Sequence, residues 1–274
     1  MNQNNAIGMF MGLFIGDALG APLEFTEPNT GNPLKDMVGG GVHDTAPGEW
    51  TDDGAMAMAI ANGYLTYKRF APGIIVQNFK QWRNNGTFGT RNYCFDIGTT
   101  TAEALSASSN KRPYGGSCAL MTDGNGGIMR MAPHILFNHN NKTMAIAESV
   151  AGGLLTHGTG KCVMYSAALA EELFVGAAIG NQTLFDKGIK EESGTVMGCY
   201  ASAWQSIAAT SNFEDAIIHA VNKGGDADTV GAVTGMIAGR VYGYEAIPKR
   251  WLDALVQHDE LLTTATKLFH MGNV

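Results

Sequence analysis

Two short acidic runs, Thr51-Asp52-Asp53 and Asp226-Ala227-Asp228-Thr229, each place two carboxylates and a hydroxyl within one turn of chain. Oxygen donors of this kind suit Mg²⁺ or Mn²⁺, which favour carboxylate, hydroxyl and water over sulfur or imidazole. Each run also directly precedes an apolar helical segment, where Thr and Asp serve as caps and first-turn acids complement the helix dipole. One such run alone reads more simply as a cap. Two of them, each with more acid than a cap needs, favour metal binding, because four carboxylates brought together resist joint ionisation unless a cation neutralises them.

Other candidates have competing readings. Glu24 follows Pro22 on an irregular stretch, where an isolated glutamate is ordinarily solvated. Asp96 is placed to cap the helix after it. Gly124-Asn125-Gly126-Gly127 is either a turn, whose Asn and Gly tolerate positive φ, or a bare backbone offering N–H groups to an anion. His157, in Thr156-His157-Gly158, reads as a helix-terminal histidine satisfied by backbone. Arg130 is expected to pair internally. The remaining histidines show no metal-ligand spacing, and His134 with His139 is not a zincin pair.

These residues must be positioned by helices, since apolar residues recur at three and four rather than alternating. Helices are expected over 4–19, 53–68, 73–84, 98–109, 143–156, 161–179, 195–209, 213–222, 229–242 and 249–269. Pro72 and Ser211-Asn212 supply start signals. The 36 glycines exceed the roughly 7% of an average chain, and many have a helical register. Gly8, Gly12, Gly16 and Gly20 fall four apart, as do Gly231, Gly235, Gly239 and Gly243. Each set makes a bare ridge that lets another backbone approach closely. The two ridged helices are expected to pack against each other.

A chain of 274 residues with 45% apolar content can bury a full core, and no linker divides it, so one all-α domain over 1–274 is expected. The formal charge of −7 argues against a nucleic-acid partner, which would need clustered Lys and Arg. The four cysteines lie far apart and form no Cys-x-x-Cys pair, so buried free thiols are expected. Trp82 and Trp204 are assigned to the core. The start, Met-Asn-Gln-Asn-Asn, has no basic n-region, and the apolar stretch Ile7–Gly16 is cut short by Asp17 before membrane-spanning length. These features point to a cytoplasmic protein without a membrane partner.

The sequence resembles the ADP-ribosylglycohydrolases, in particular the bacterial branch of dinitrogenase reductase-activating hydrolases. The elements that carry the resemblance are Gly16-Asp17-Ala18-Leu19-Gly20 with Glu24, Trp50-Thr51-Asp52-Asp53, Phe95-Asp96-Ile97-Gly98, Asn125 to Pro133, Thr156-His157, and Gly224 to Thr229 with Ile247-Pro248 and Trp251 beyond. Their order and joint presence are specific, and they run nearly end to end.

The resemblance implies a compact orthogonal bundle of helices with a metal-containing cleft. Two divalent cations, Mg²⁺ or Mn²⁺, would be held by Thr51, Asp52, Asp53, Asp226, Asp228 and Thr229. Glu24 and Asp96 would be catalytic, and Gly124 to Gly127 with His157 would bind the substrate. It implies hydrolysis of the N-glycosidic bond between ADP-ribose and a protein arginine, with the ADP-ribosylated protein as partner and the chain acting as a monomer. The alternatives are the same chemistry on a serine, poly-ADP-ribose, nucleobase or metabolite linkage, or a non-catalytic ADP-ribose binder. Position 54 is Gly where relatives often carry Thr or Ser, and position 227 is Ala rather than polar. Neither change removes a ligand oxygen.

Overall fold

The structure, a computed structural model, describes residues 1–176 and 193–272. Among these it has twelve α-helices and no strand, only isolated bridges such as Gly40 with Thr45. They are α1 (Gln3–Gly20), α2 (Asp52–Tyr67), α3 (Pro72–Asn85), α4 (Thr99–Ala107), α5 (Ala132–Phe137), α6 (Lys142–Gly153), α7 (Gly160–Val175), α8 (Val196–Ala208), α9 (Phe213–Val221), α10 (Ala227–Tyr242), α11 (Lys249–Ala254) and α12 (His258–Met271). They build the all-α bundle with a cleft that the resemblance implies.

The centre of the bundle is the antiparallel pair α1 and α10. A Cβ built on Gly8, Gly12 or Gly16 would come within 3 Å of the carbonyl of Gly239, Gly235 or Gly231 respectively. The two backbones are therefore in contact, and no side chain larger than hydrogen fits between them. Gly20 continues the register against the carbonyl of Ala227, while Gly243 lies just past the end of α10 and meets the Asn4 side chain. Because its bare ridge takes up one side of α1, the other faces carry Phe10, Phe14, Leu13 and Met11 into the surrounding core, all fully buried.

Three helix boundaries differ from the periodicity. The expected helix 249–269 is two helices, because at Gln257 the chain turns through φ 61° and the Val256 amide donates to the Gly48 carbonyl. The short α5 is additional: Pro133 at its start lacks the N–H that an initiating turn leaves unused. The helix expected over 143–156 stops at Gly153, and the part of 161–179 beyond Gly176 lies outside the described residues.

Trp82 and Trp204 are buried, as are Cys162 and Cys199, but Cys94 is half-buried and Cys118 exposed, so only two thiols meet the expectation. The helical segment Gln3–Leu23 continues past Asp17, and with a mean hydropathy of 1.6 it satisfies the length and composition of a membrane span, which the stretch ended by Asp17 is not expected to reach. Its residues are 89% buried inside the bundle, so that apolar surface serves the protein core.

Candidate active site

The glycine seam determines what meets at its end. Gly20 lies against Ala227 and Asp228, so α1 finishes beside the first turn of α10. A 3₁₀ turn, Ala21–Leu23, then presents Glu24. The segment is tied down by two backbone hydrogen bonds: the Phe25 amide donates to the Gly225 carbonyl at 2.6 Å, and the Gly225 amide donates to Thr26 at 2.9 Å. Gly224 and Gly225 adopt φ of 67° and 64°, and a Cβ on Gly224 would collide with the Thr26 carbonyl. Glycine here is what allows the Glu24 and Asp226 segments to lie side by side.

Asp17, part of the quoted motif but given no role from sequence, is the pivot. Buried in an otherwise apolar stretch of α1, its carboxylate accepts from the Thr51 amide at 2.9 Å, the Thr51 hydroxyl at 3.0 Å and the Gly54 amide at 3.0 Å. It thus serves the start of α2 in place of Thr51, whose own side chain makes no cap bond. Burial pushes its pKa up to about 7 against the pull of those donors. The only charged residue in that apolar helix was the available signal. The glycine at position 54 has a local cause as well, since a Cβ there would press on the rings of Trp50 and Phe14.

Freed from capping, the Thr51 hydroxyl also lies 3.3 Å from Asp228 Oδ2, and the Thr229 hydroxyl donates to Asp53 Oδ2 at 3.3 Å. Asn125 Nδ2 donates to Asp226 Oδ2 at 2.6 Å, linking the glycine-rich turn to the acids. Oxygens of Glu24, Asp226 and Asp228 lie within 4.8 Å of one another, as do those of Asp52, Asp96 and Asp228. All are buried except Asp96 and Asp226, which are partly so.

This concentration of acid distorts every proton affinity in the cleft. Burial first, and then Asp226, Asp52 and Asp17, push Glu24 up to about 8. Asp96 is pushed up to about 7 by burial and by Glu24, while burial and neighbouring carboxylates hold Asp52, Asp53 and Asp228 well above the usual range. Asp53 Oδ1 and Asp228 Oδ1 are buried without a hydrogen-bond partner. Ionised carboxylates only accept, so once these acids lose their protons the unpartnered oxygens facing other carboxylates suit a hard cation. The donor set suits divalent cations.

Beside the acids opens a cavity of about 380 Å³. Ten of the sequence candidates line it: Glu24, Asp52, Asp96, Gly124, Asn125, Gly126, His157, Asp226, Asp228 and Thr229. Thr51 and Asp53 lie beneath that lining, and Gly127 packs against Gly153. The glycine-rich turn is a 3₁₀ turn over Asn125–Gly127 without positive φ, so of its two expected readings the positive-φ turn does not apply. Its glycines are needed for space, since a Cβ on Gly126 would come 2.5 Å from His157 Cε1. The His157 amide donates to the Gly153 carbonyl, while its ring is held by a side chain and not by backbone, with Nδ1 2.9 Å from the Thr156 hydroxyl, and lines the cavity. Burial and Arg130 lower its pKa to about 3, so the ring is neutral. Arg130 pairs internally, with Gly126 O and with the Thr156 hydroxyl at 2.6 Å.

Asp96 does not cap α4, whose N-cap is Gly98; it turns into the cavity instead. The loop before it is clamped by Arg91, which bonds both oxygens of Glu49 at 2.8 and 2.7 Å and lies 4.1 Å over the Phe95 ring. Phe95 meets His43 edge-on at 5.8 Å, and His43 Nε2 lies 2.8 Å from Glu24 Oε2 and 3.6 Å from Asp96 Oδ2. Sequence reasoning missed His43, which no ligand spacing ties to Glu24 or Asp96.

Known proteins match this chain closely. The ADP-ribosylglycohydrolase family matches residues 2–183 and 171–273. An ADP-ribosylarginine hydrolase, Tri1, of Serratia proteamaculans is 34% identical over 98% of this chain and 80% of its own length. An ADP-ribosyl-[dinitrogen reductase] glycohydrolase of Rhodospirillum rubrum is 29% identical over 92% of this chain and 90% of its own. A solved structure described as an ADP-ribosylglycohydrolase-related protein complex has a TM-score of 0.86 at 32% identity, covering 98% of each chain. Sequence and fold thus agree over nearly the full length, and the chain belongs to the ADP-ribosylglycohydrolase family.

Proposed function

We propose that this hydrolase releases ADP-ribose from an arginine side chain of a modified protein, working as a cytoplasmic, single-domain monomer. The observation that carries the reading is the meeting of two acidic helix starts with Glu24, Asp96 and a bare glycine turn in the lining of one cavity. Support for arginine comes from the relatives named as ADP-ribosylarginine hydrolases and from the strongly negative cleft, which suits a guanidinium.

Thr51, Asp52, Asp53, Asp226, Asp228 and Thr229 would hold two divalent cations, Mg²⁺ or Mn²⁺. Bound there, the cations supply a template for the ribose hydroxyls and a lowered pKa for water. Glu24 takes a proton from the attacking water as its oxygen bonds to the anomeric carbon and the bond to the guanidine nitrogen breaks. Asp96 lines the side on which the guanidine departs, and the surrounding carboxylates stabilise positive charge developing on the ribose. Asn125 and the turn Gly124–Gly127, floored by the neutral His157, receive the diphosphate and adenosine end.

The test compares release of ADP-ribose from arginine-linked, serine-linked and DNA-linked substrates, side by side, with Mg²⁺ and with Mn²⁺. Preferential cleavage of the arginine linkage is expected. Preference for another linkage would move the assignment, and tight ADP-ribose binding without turnover on any of them would overturn it.

A further inference from the structure

His43 reaches the cleft from a loop that packs on the turn before Glu24: a Cβ on Gly41 would come 2.8 Å from the Ala21 carbonyl and from Pro22 Cα, so the loop lies directly against that turn. The imidazole thereby joins two carboxylates, and Glu24 Oε2, His43 Nε2 and an Asp96 oxygen lie within 4.8 Å of one another. Glu24 is 7% exposed, and neither its Oε2 nor His43 Nε2 has a hydrogen-bond partner. The two atoms approach to 2.8 Å without the alignment of a hydrogen bond, and Asp96 Oδ2 stands 3.6 Å from the same nitrogen. Three donors gathered this closely can be bridged by one metal ion.

We propose that Glu24, His43 and Asp96 form a site for a borderline cation such as Zn²⁺, bordering the all-oxygen site and sharing Glu24 and Asp96 with its acid clusters, and that filling it stops turnover. Zinc bonds nitrogen and oxygen at about 2.0–2.2 Å, which puts tetrahedral ligands about 3.4 Å apart. The 3.6 Å edge already has that length, and the 2.8 Å edge needs only to open by the swing of a glutamate side chain. Three protein ligands leave the fourth position facing the cavity, as in open zinc sites.

The imidazole is what separates this site from its neighbour. Mg²⁺ avoids nitrogen, whereas Zn²⁺ and Co²⁺ accept it. The His43 ring is held by a hydrogen bond to the Phe95 backbone, and with Nε2 unpartnered that bond uses Nδ1, leaving the free nitrogen aimed at the carboxylates. Backbone support of the other ring nitrogen is the usual arrangement behind a ligating histidine. Inhibition rests on the proposed roles of Glu24 and Asp96, since the cation would occupy the oxygens that handle the proton and the leaving group; binding itself does not depend on that reading.

The experiment uses the full chain in excess Mg²⁺, which fills the all-oxygen site. Zn²⁺ is titrated by equilibrium dialysis, Co²⁺ by its visible absorption, and release of ADP-ribose is followed in parallel. The wild type should take one more Zn²⁺ per chain than His43→Gln and show a Co²⁺ band that the variant lacks. His43→Cys, which restores a ligand, should recover both. His43→Gln should turn over normally without zinc and need at least about tenfold more Zn²⁺ for the same inhibition, the scale of even an outer-sphere loss. Equal zinc uptake and equal inhibition in wild type and His43→Gln would overturn the proposal, as would no uptake by the wild type. Absence of turnover on any ADP-ribose linkage would count against the proposed function alone, because the dialysis and the Co²⁺ spectrum still decide the site.

Discussion

Along the seam of α1 and α10, glycine carbonyls of one helix touch glycine backbone of the other, and no charged group intervenes. One turn further, where the same helices begin and end, carboxylate faces carboxylate and buried oxygens lack partners. The seam contributes stability and no chemistry. The cleft opposes stability, and its groups are arranged for something the chain alone does not supply. A rigid contact with no tolerance for an added methyl group is what holds such mutually repelling groups in place.

The largest effect should come from the cleft. Replacing Asp228 by Asn removes one charge and a buried unpartnered oxygen while keeping the shape, and should lower kcat by roughly a thousandfold or more, on the scale of losing one preorganised electrostatic group. In the absence of cations the same variant should melt above the wild type, by about 2–4 °C for each kcal/mol of repulsion removed. A variant that is both less active and less stable would break the contrast between seam and cleft.

The seam should respond with the opposite sign. Ala is a better helix former than Gly by about 1 kcal/mol, so on propensity alone Gly12→Ala would stabilise α1. Its Cβ would instead meet the Gly235 backbone, which has nowhere to move, and a net loss of about 1–3 kcal/mol or more is expected from urea unfolding. A stabilised Gly12→Ala would mean that the helices do not touch along the seam.

The pH dependence of stability follows from the cleft. Asp17, Glu24 and Asp96 have folded-state pKa values raised to about 7, 8 and 7 from 3.8, 4.5 and 3.8. Between those limits these three groups bind more protons in the folded chain than in the unfolded one, so their contribution to metal-free stability is fully present below about pH 4 and lost as pH rises toward 8. Thermal melts in a chelator should therefore fall from pH 5 to pH 8, and Mn²⁺ should restore the loss at pH 8, where the carboxylates are free to bind it.

The smallest effect should lie at the clamp behind Asp96. Arg91→Lys loses the paired bonds to Glu49 and the flat contact with Phe95. A fall in kcat of about tenfold or less with little change in stability is expected, since lysine keeps a positive charge beside the buried Glu49 carboxylate. Loss of stability with unchanged kcat would make the clamp purely structural.

How far these regions were legible from sequence differs for physical reasons. The seam was readable because glycine at every fourth position has one geometric meaning, and the two ridges named their own partner. The acids Asp52, Asp53, Asp226 and Asp228 were readable because each pair is local. His43 was not, since it approaches Glu24 and Asp96 only through the way a loop packs. The break at Gln257 was hidden because the apolar pattern continues through it, while the Val256 amide is drawn out to Gly48. Of the two readings of the glycine-rich turn, positive φ does not occur in it; His157 beneath it adds a steric reason for glycine that sequence could not show, because the two segments meet only in the fold.

The central claim is that the acidic cleft is a cation-dependent hydrolytic site. Release of ADP-ribose from ADP-ribosylarginine should be measured for the wild type and Asp228→Ala, in chelator and after adding back Mg²⁺ or Mn²⁺. The account predicts turnover only for the wild type with cations present. Full activity in chelator, or in Asp228→Ala, would contradict it.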